Sequence, residues 1–298
     1  MNSRSPQNFL YGLPAYTSLG LLIMVVAQLG LIMHVAWVAT WLTPIMWSGY
    51  ILFVDGLVNQ RSGASWLTTR KLEFPLLVLL SIGIWLLFEA YNFHLQNWLY
   101  RGVPDSAWMR NLAYAWSFAT IIPGVFLTSE LIMSFLPPSR FDPRNSSRGR
   151  LPDWSWFLAG ATLVLIPLAL PIPIARYLFG AIWLGFILLL DPINAKLGTA
   201  SLKQRWLQGD HRCTLGLMLG GLLCGFLWEG WNYQAFRLAG GHWIYTVPEP
   251  LRIFGLHYGQ MPILGMLGFP PFALELYVLY HFLRSSLQVE RFLGPLTW

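Results

Sequence analysis

The chain is written twice, so an architecture adopted by one half is expected in the other. Trp47-Ser-Gly-Tyr-Ile-Leu-Phe-Val-Asp55 returns as Trp183-Leu-Gly-Phe-Ile-Leu-Leu-Leu-Asp191 at an offset of 136 residues. Phe88-Glu-Ala-Tyr-Asn92 returns as Trp228-Glu-Gly-Trp-Asn232 at 140, and Trp98-Leu-Tyr100 returns as Trp243-Ile-Tyr245 at 145. Phe126-Leu-Thr-Ser-Glu-Leu131 returns as Pro271-Phe-Ala-Leu-Glu-Leu276, again at 145. The copies share three acids in apolar surroundings, Asp55/Asp191, Glu89/Glu229 and Glu130/Glu275. Such groups are costly in hydrocarbon, so keeping both copies of each points to a site.

A chain that is 55% hydrophobic and 11% charged, with 16 Trp, departs from soluble composition. Eight apolar stretches are long enough to cross a hydrocarbon core of about 30 Å: 14–33, 37–57, 74–96, 110–136, 154–172, 175–193, 212–236 and 258–283. The expected fold is an all-α integral membrane protein of about eight transmembrane helices. Four spans per half means that both halves enter from the same side, as parallel repeats about an axis along the membrane normal. The first four-helix repeat is 1–136 and the second 154–298. A polar, basic connector, 137–153, joins them within one compact membrane domain.

The loops on one side hold 14 Lys and Arg and those on the other hold five, which places both termini in the cytoplasm. The expected location is the bacterial cytoplasmic (inner) membrane. The net charge of +6 is this bias and implies no nucleic-acid partner. The first apolar stretch lacks a small-residue cleavage site and is expected to remain as helix 1. Cys213 and Cys224, 11 residues apart on one expected helix, are separated by about 16 Å and cannot form a disulfide there.

Glu89 and Asn92, like Glu229 and Asn232, are spaced to put carboxyl and amide on one helix face, within a shell of Trp85, Tyr91, Trp228 and Trp231. A charged acid near the bilayer centre costs about 2.5–3.5 kcal/mol, so it must be paired, hydrated or kept protonated. One alternative is a Glu–Asn pair that locks the halves together. Glu130 and Glu275 follow Pro123 and Pro270-Pro271 on helices expected to bend there and to expose backbone groups. A packing kink is the competing reading, and snorkelling to the interface is the competing role for the acids. Asp55 and Asp191, each followed by Asn, a cation and Gly, fit a helix-end turn or an interfacial salt bridge as well as a site. Gly216, Gly220, Gly221 and Gly225 form two small-xxx-small pairs that admit a close neighbouring helix. Trp98-Leu-Tyr100 and Gly241-His-Trp-Ile-Tyr245 fall in outer loops, as a cavity mouth or as aromatic-belt anchors. His94, His242 and His257 have no partner at ligand spacing.

Several chemistries lack their residues. No two His lie within five residues of each other, and there is no H-E-x-x-H or Walker A sequence. Clustered aspartates that would hold magnesium against a diphosphate are missing too. No cofactor and no metal are expected. What remains is acid chemistry, proton or ion coupling, or structure.

At Glu229, Gly241-His-Trp-Ile-Tyr245 and Pro271-Phe-Ala-Leu-Glu275, the chain resembles the repeated domain of the membrane-bound lycopene cyclases, the heterodimeric or fused type. Glu89, Asn97-Trp-Leu-Tyr100 and the run from Pro123 to Glu130 correspond in the first half. The likeness covers the last two helices of each repeat. It departs from the family in having one Glu where the family has Glu-Glu after proline, and four spans per repeat where the family has three. The resemblance implies a redox-neutral reaction without metal: a protonated acid donates to an alkene, aromatic faces stabilise the cation, and a second acid removes a proton. Glu275 and Glu130 are the expected proton-transfer residues, with Glu229 and Glu89 as support or base. Asn92, Asn232, Trp228, Trp231, Tyr91, Trp243 and Tyr245 are the expected substrate contacts.

Three functions stay open. The first is an enzyme of cyclase, isomerase or hydratase type, acting on an apolar isoprenoid or carotenoid lipid in an intramembrane acidic cavity. The second is a small proton- or cation-coupled transporter. The third is a non-catalytic subunit or assembly factor of a membrane complex, binding lipid, pigment or neighbouring membrane proteins.

Overall fold

The computed structural model describes residues 13–139 and 154–293, so nearly all of the expected 137–153 connector lies outside the described residues. The chain is mostly helical. Its first half contributes α1 (Ala15–Ile32), α2 (Ala36–Thr40), α3 (Leu42–Ser62), α4 (Phe74–Leu95), strand β1 (Trp98–Arg101), α5 (Ala107–Ala119) and α6 (Ile121–Met133). Its second half contributes α7 (Trp154–Ala169), α8 (Ile172–Ala175), α9 (Phe179–Leu197), α10 (Leu202–Leu207), α11 (Arg212–Arg237) and strand β2 (His242–Tyr245). A small hairpin of β3 (His257–Tyr258) and β4 (Met261–Pro262) then leads into α12 (Ile263–Met266), α13 (Phe269–Ser286) and α14 (Glu290–Leu293).

Among the described residues, six helical segments are long and apolar enough to cross a membrane, namely α1, α4, α5 with α6, α9, α11 and α12 with α13, the character of a multi-pass helical membrane protein. Sequence reading expects eight. The two stretches that fall short are nevertheless helical. Helix α3 is 21 residues long, but its last two turns carry Asp55, Asn59, Gln60 and Arg61. Helix α7 stops after 16 residues, where Pro171 forces the residue before it out of helical conformation.

The expected proline bends are helix starts. The stretch 110–136 breaks at Thr120 between α5 and α6, and Pro123 falls in the first turn of α6, where a backbone N–H has no partner to lose. Ser81 of α4 fills the break: its hydroxyl donates to the Phe118 carbonyl (2.5 Å) and accepts from the Ile122 N–H (3.0 Å). Pro270 and Pro271 likewise sit in the first turn of α13.

Small residues set the helix spacing. A Cβ on Gly20 would lie 2.5 Å from the Gly49 carbonyl, which seats α1 on α3; one on Gly160 would lie 2.3 Å from Leu189 N, which seats α7 on α9. The α11 glycines serve two neighbours. Gly216 and Gly220 face Met133 and Ser129 of α6, and Gly221 and Gly225 face Phe269 of α13. Gly220→Ala would put a methyl 2.9 Å from the Ser129 backbone, at an expected cost of about 1–3 kcal/mol. Gly83→Ala, with nothing within 4 Å, should instead stabilise α4 by up to about 1 kcal/mol. Thermal unfolding of both variants in one detergent checks the pair, and equal shifts would contradict the packing argument.

At the end of the bundle opposite β1 and β2, an ion pair ties α4 to α13. Arg284 Nε donates to Glu73 Oε1 at 2.5 Å, and the Tyr280 hydroxyl donates to the same oxygen at 2.6 Å. All three side chains are buried.

Candidate functional site

The Glu-x-x-Asn face does different work with its two side chains. On α4, the Asn92 amide donates to the Trp98 carbonyl (2.9 Å), and its oxygen accepts from the N–H groups of Asn97 (2.8 Å) and Trp98 (3.2 Å). On α11, Asn232 donates to the Trp243 carbonyl and accepts from the Trp243 N–H, both at 2.9 Å. Each asparagine therefore ties a strand to the helix before it. Each glutamate, one turn earlier, receives that strand's ring donors. Glu89 Oε1 accepts from Trp85 Nε1 (2.8 Å), Trp98 Nε1 (3.1 Å) and the Tyr100 hydroxyl (2.5 Å). Glu229 Oε1 accepts from Trp243 Nε1 (3.3 Å) and the Tyr245 hydroxyl (2.7 Å). Burial, reinforced by the adjacent carboxylates, pushes both tyrosine hydroxyls well above their usual range, so they stay donors.

Strands β1 and β2 pair antiparallel, with Trp98 opposite Tyr245 and Tyr100 opposite Trp243. The glycine that opens Gly241-His-Trp-Ile-Tyr245 is a matter of clearance. A Cβ there would lie 2.4 Å from the Thr40 carbonyl at the end of α2.

Beneath this two-stranded bridge lies a cavity of about 330 Å³ with an apolar, aromatic-rich wall that includes Trp85, Trp98, Trp228, Trp243, Phe269 and Phe272. Tyr100, Tyr245 and Glu229 also line it. Both glutamates are held through one oxygen, and Glu229 differs in the burial of its second. One oxygen is held by two donors, while Oε2 is buried with no hydrogen-bond partner. Glu89 instead borders a second cleft, shared with Asn92, Gln96, Trp98 and Arg176.

The other expected site residues divide. Trp228, Trp243 and Tyr245 line the cavity, whereas Trp231 packs edge-on to Trp47 (5.0 Å) and the Tyr91 hydroxyl donates to the Val164 carbonyl (3.1 Å). Glu130 is at the opposite end, bidentate to Arg70 (2.8 and 2.6 Å) and accepting from Trp66 Nε1 (2.7 Å). Its sequence counterpart Glu275 has no such cation. It is fully buried, and neither carboxylate oxygen has a hydrogen-bond partner. Glu275 lies three residues, nearly a full turn, beyond Phe272, a cavity-wall residue, hence about 4.5 Å further along α13.

Asp55 and Asp191 organise turns. Asp55 accepts from the hydroxyls of Tyr16 (2.7 Å) and Ser65 (2.8 Å) and from Leu67 N (3.1 Å). Asp191 accepts from Ser201 Oγ (2.9 Å), Leu202 N (2.6 Å) and Lys203 N (3.0 Å). The preceding helices end at Gly63 and Gly198, whose φ of 73° and 74° is the left-handed cap that glycine favours. The neighbouring cation Arg61 turns away to Ser134.

Sequence reading missed Glu73 and Arg176, and it placed Asn97 only within the Asn97-Trp-Leu-Tyr100 run, without a role at the cavity. Asn97 and Arg176 line the cavity, and they meet because the Asn97 amide donates to the Arg176 carbonyl (2.8 Å) across 79 residues. No local pattern carries such a contact. His94, His242 and His257 bond the backbone carbonyls of Leu170, Gly240 and Gly255 in turn. Among the described residues, no group of three His, Cys, Asp or Glu is placed to hold a metal. Compared with protein-family models, with curated proteins and with solved structures, the chain matches none.

Proposed function

We propose that the protein is a multi-pass membrane enzyme performing redox-neutral acid–base chemistry on an apolar isoprenoid or carotenoid lipid in the aromatic cavity. The observation that carries this reading is Glu229: one oxygen fixed by Trp243 and Tyr245, the other unpartnered, on the wall of an apolar cavity. A neutral carboxyl there carries its proton on Oε2 and gives it to an alkene carbon, whose π pair becomes the new C–H bond. The faces of Trp85, Trp228 and Trp243 stabilise the resulting cation. Glu229, left as a carboxylate on the cavity wall, then serves as the base, while Glu89, with three donors on one oxygen, supports the network from the adjoining cleft. Removal of a proton elsewhere on the substrate returns a C–H pair as a π bond, so no electrons are gained or lost.

Scale supports a chain-end reaction centre. A cavity of about 150 Å³ admits benzene, so about 330 Å³ encloses roughly a dozen carbons. A long isoprenoid therefore places one end inside. The reading treats the halves as parallel four-helix repeats about a two-fold axis between β1 and β2, which the crossed Trp–Tyr register supports. With both termini in the cytoplasm of a bacterial inner membrane, the cavity belongs to the outer half of the bilayer.

A proton- or cation-coupled transporter is the second reading, favoured by the unpartnered, fully buried Glu275. The deciding experiment is organic extraction of purified wild-type and Glu229→Gln protein, with mass spectrometry of the retained lipids. The expected result is isoprenoid in both, with its conversion reduced in Glu229→Gln by about 10²–10⁴-fold. Finding no isoprenoid or pigment in either preparation, with Glu229→Gln behaving as wild type, would sink the enzyme reading.

A further inference from the structure

Among the described residues, Arg176 has no counter-ion. It follows α8, half-buried, and borders both the aromatic cavity and the cleft that holds Glu89. Its terminal nitrogen donates to the Thr246 carbonyl. Its Nε is buried without a hydrogen-bond partner. Among the described residues, no carboxylate lies within 4.0 Å of the guanidinium, although Glu89 shares the cleft. The three ring donors on Glu89 Oε1 already engage that acid. Half-burying a guanidinium beside an apolar cavity with a donor left over is costly unless an anion completes it. Arginine's planar fork matches a carboxylate or a phosphate.

We infer that the cavity takes an amphiphile: an anionic headgroup, carboxylate or phosphate, pairs with Arg176 in the cleft, and its apolar chain enters the aromatic cavity. The inference rests on the lipid-binding reading of that cavity and adds the charge of the ligand. It divides the site by chemistry. Arg176 and the nearby Asn97 and Thr246 form the polar mouth, and the tryptophans beyond receive the hydrocarbon.

The test uses the full chain in phosphatidylcholine nanodiscs, titrated with dodecanoate, dodecyl phosphate and dodecanol while intrinsic Trp fluorescence is followed. Both anions should bind at least tenfold more tightly than the alcohol. Arg176→Gln should bring them down to the alcohol's affinity, and Arg176→Lys should recover part of the preference. Whichever anion binds more tightly identifies the headgroup. Equal binding of alcohol and anions to the wild type would overturn the inference while leaving the cavity reading intact. That comparison needs no variant, so a poorly folding Arg176→Gln would not rescue the idea. Binding of none of the three would overturn the cavity reading as well.

Discussion

Arg284→Met is expected to destabilise the folded protein by about 3–5 kcal/mol, because it strands a buried carboxylate. Glu73 is 5% exposed and Arg284 is 0% exposed. Their contacts are Nε to Oε1 at 2.5 Å and a terminal nitrogen to Oε2 at 3.4 Å. Removing the guanidinium leaves Glu73 with the Tyr280 hydroxyl (2.6 Å) as its side-chain donor, at the junction of two helices 211 residues apart in sequence. The loss is thus one of uncompensated burial, not of attraction alone. It follows that Glu73→Leu combined with Arg284→Met should regain most of the stability, since a buried ion pair replaced by apolar groups is often neutral. Thermal unfolding of the single and double variants in one detergent measures this. If the double variant is as unstable as Arg284→Met, packing around Arg284 is the cause and the ion-pair argument fails. Arg70→Met should cost less, because Arg70 and Glu130 are 18% and 13% exposed and water takes part of the burden.

The sequence reveals what is local and periodic. Asn92 and Asn232 stand three residues after their glutamates, so each pair shares a helix face, and both pairs do reach the strand that follows. Their partners were harder to see. Trp98-Leu-Tyr100 is too short to display strand alternation, and it becomes a strand because Asn92 and a second strand capture its backbone. Glu130 and Glu275 look alike in sequence yet differ in surroundings. Arg70 reaches Glu130 from the loop before α4, while the position 136 residues further on is Trp206, whose ring N–H goes to Thr214. Copies of a motif thus inherit a face but not a counter-ion. Glu73–Arg284 and Asn97–Arg176 are long-range contacts, and no spacing rule announces them.

Glu275→Met is expected to raise stability by about 1–4 kcal/mol, opposite in sign to Arg284→Met. A carboxyl buried with both oxygens unpartnered has given up hydration and regained nothing. An unbranched apolar side chain of similar length removes that penalty and keeps the volume, so the helix contacts of α13 survive. Glu275→Gln, in contrast, leaves two polar atoms in the same place and should not stabilise. Comparing unfolding midpoints of the two variants separates polarity from shape. A chain that holds such an acid nearly one turn beyond its cavity wall sacrifices stability at that point, a trade-off common at functional sites. The functional half of the prediction is therefore a stabilised Glu275→Met protein whose lipid conversion, or proton coupling, is lost. Stabilisation with full activity would make Glu275 an uncorrected cost of the fold, and destabilisation would mean that a bound partner completes the carboxyl in the membrane.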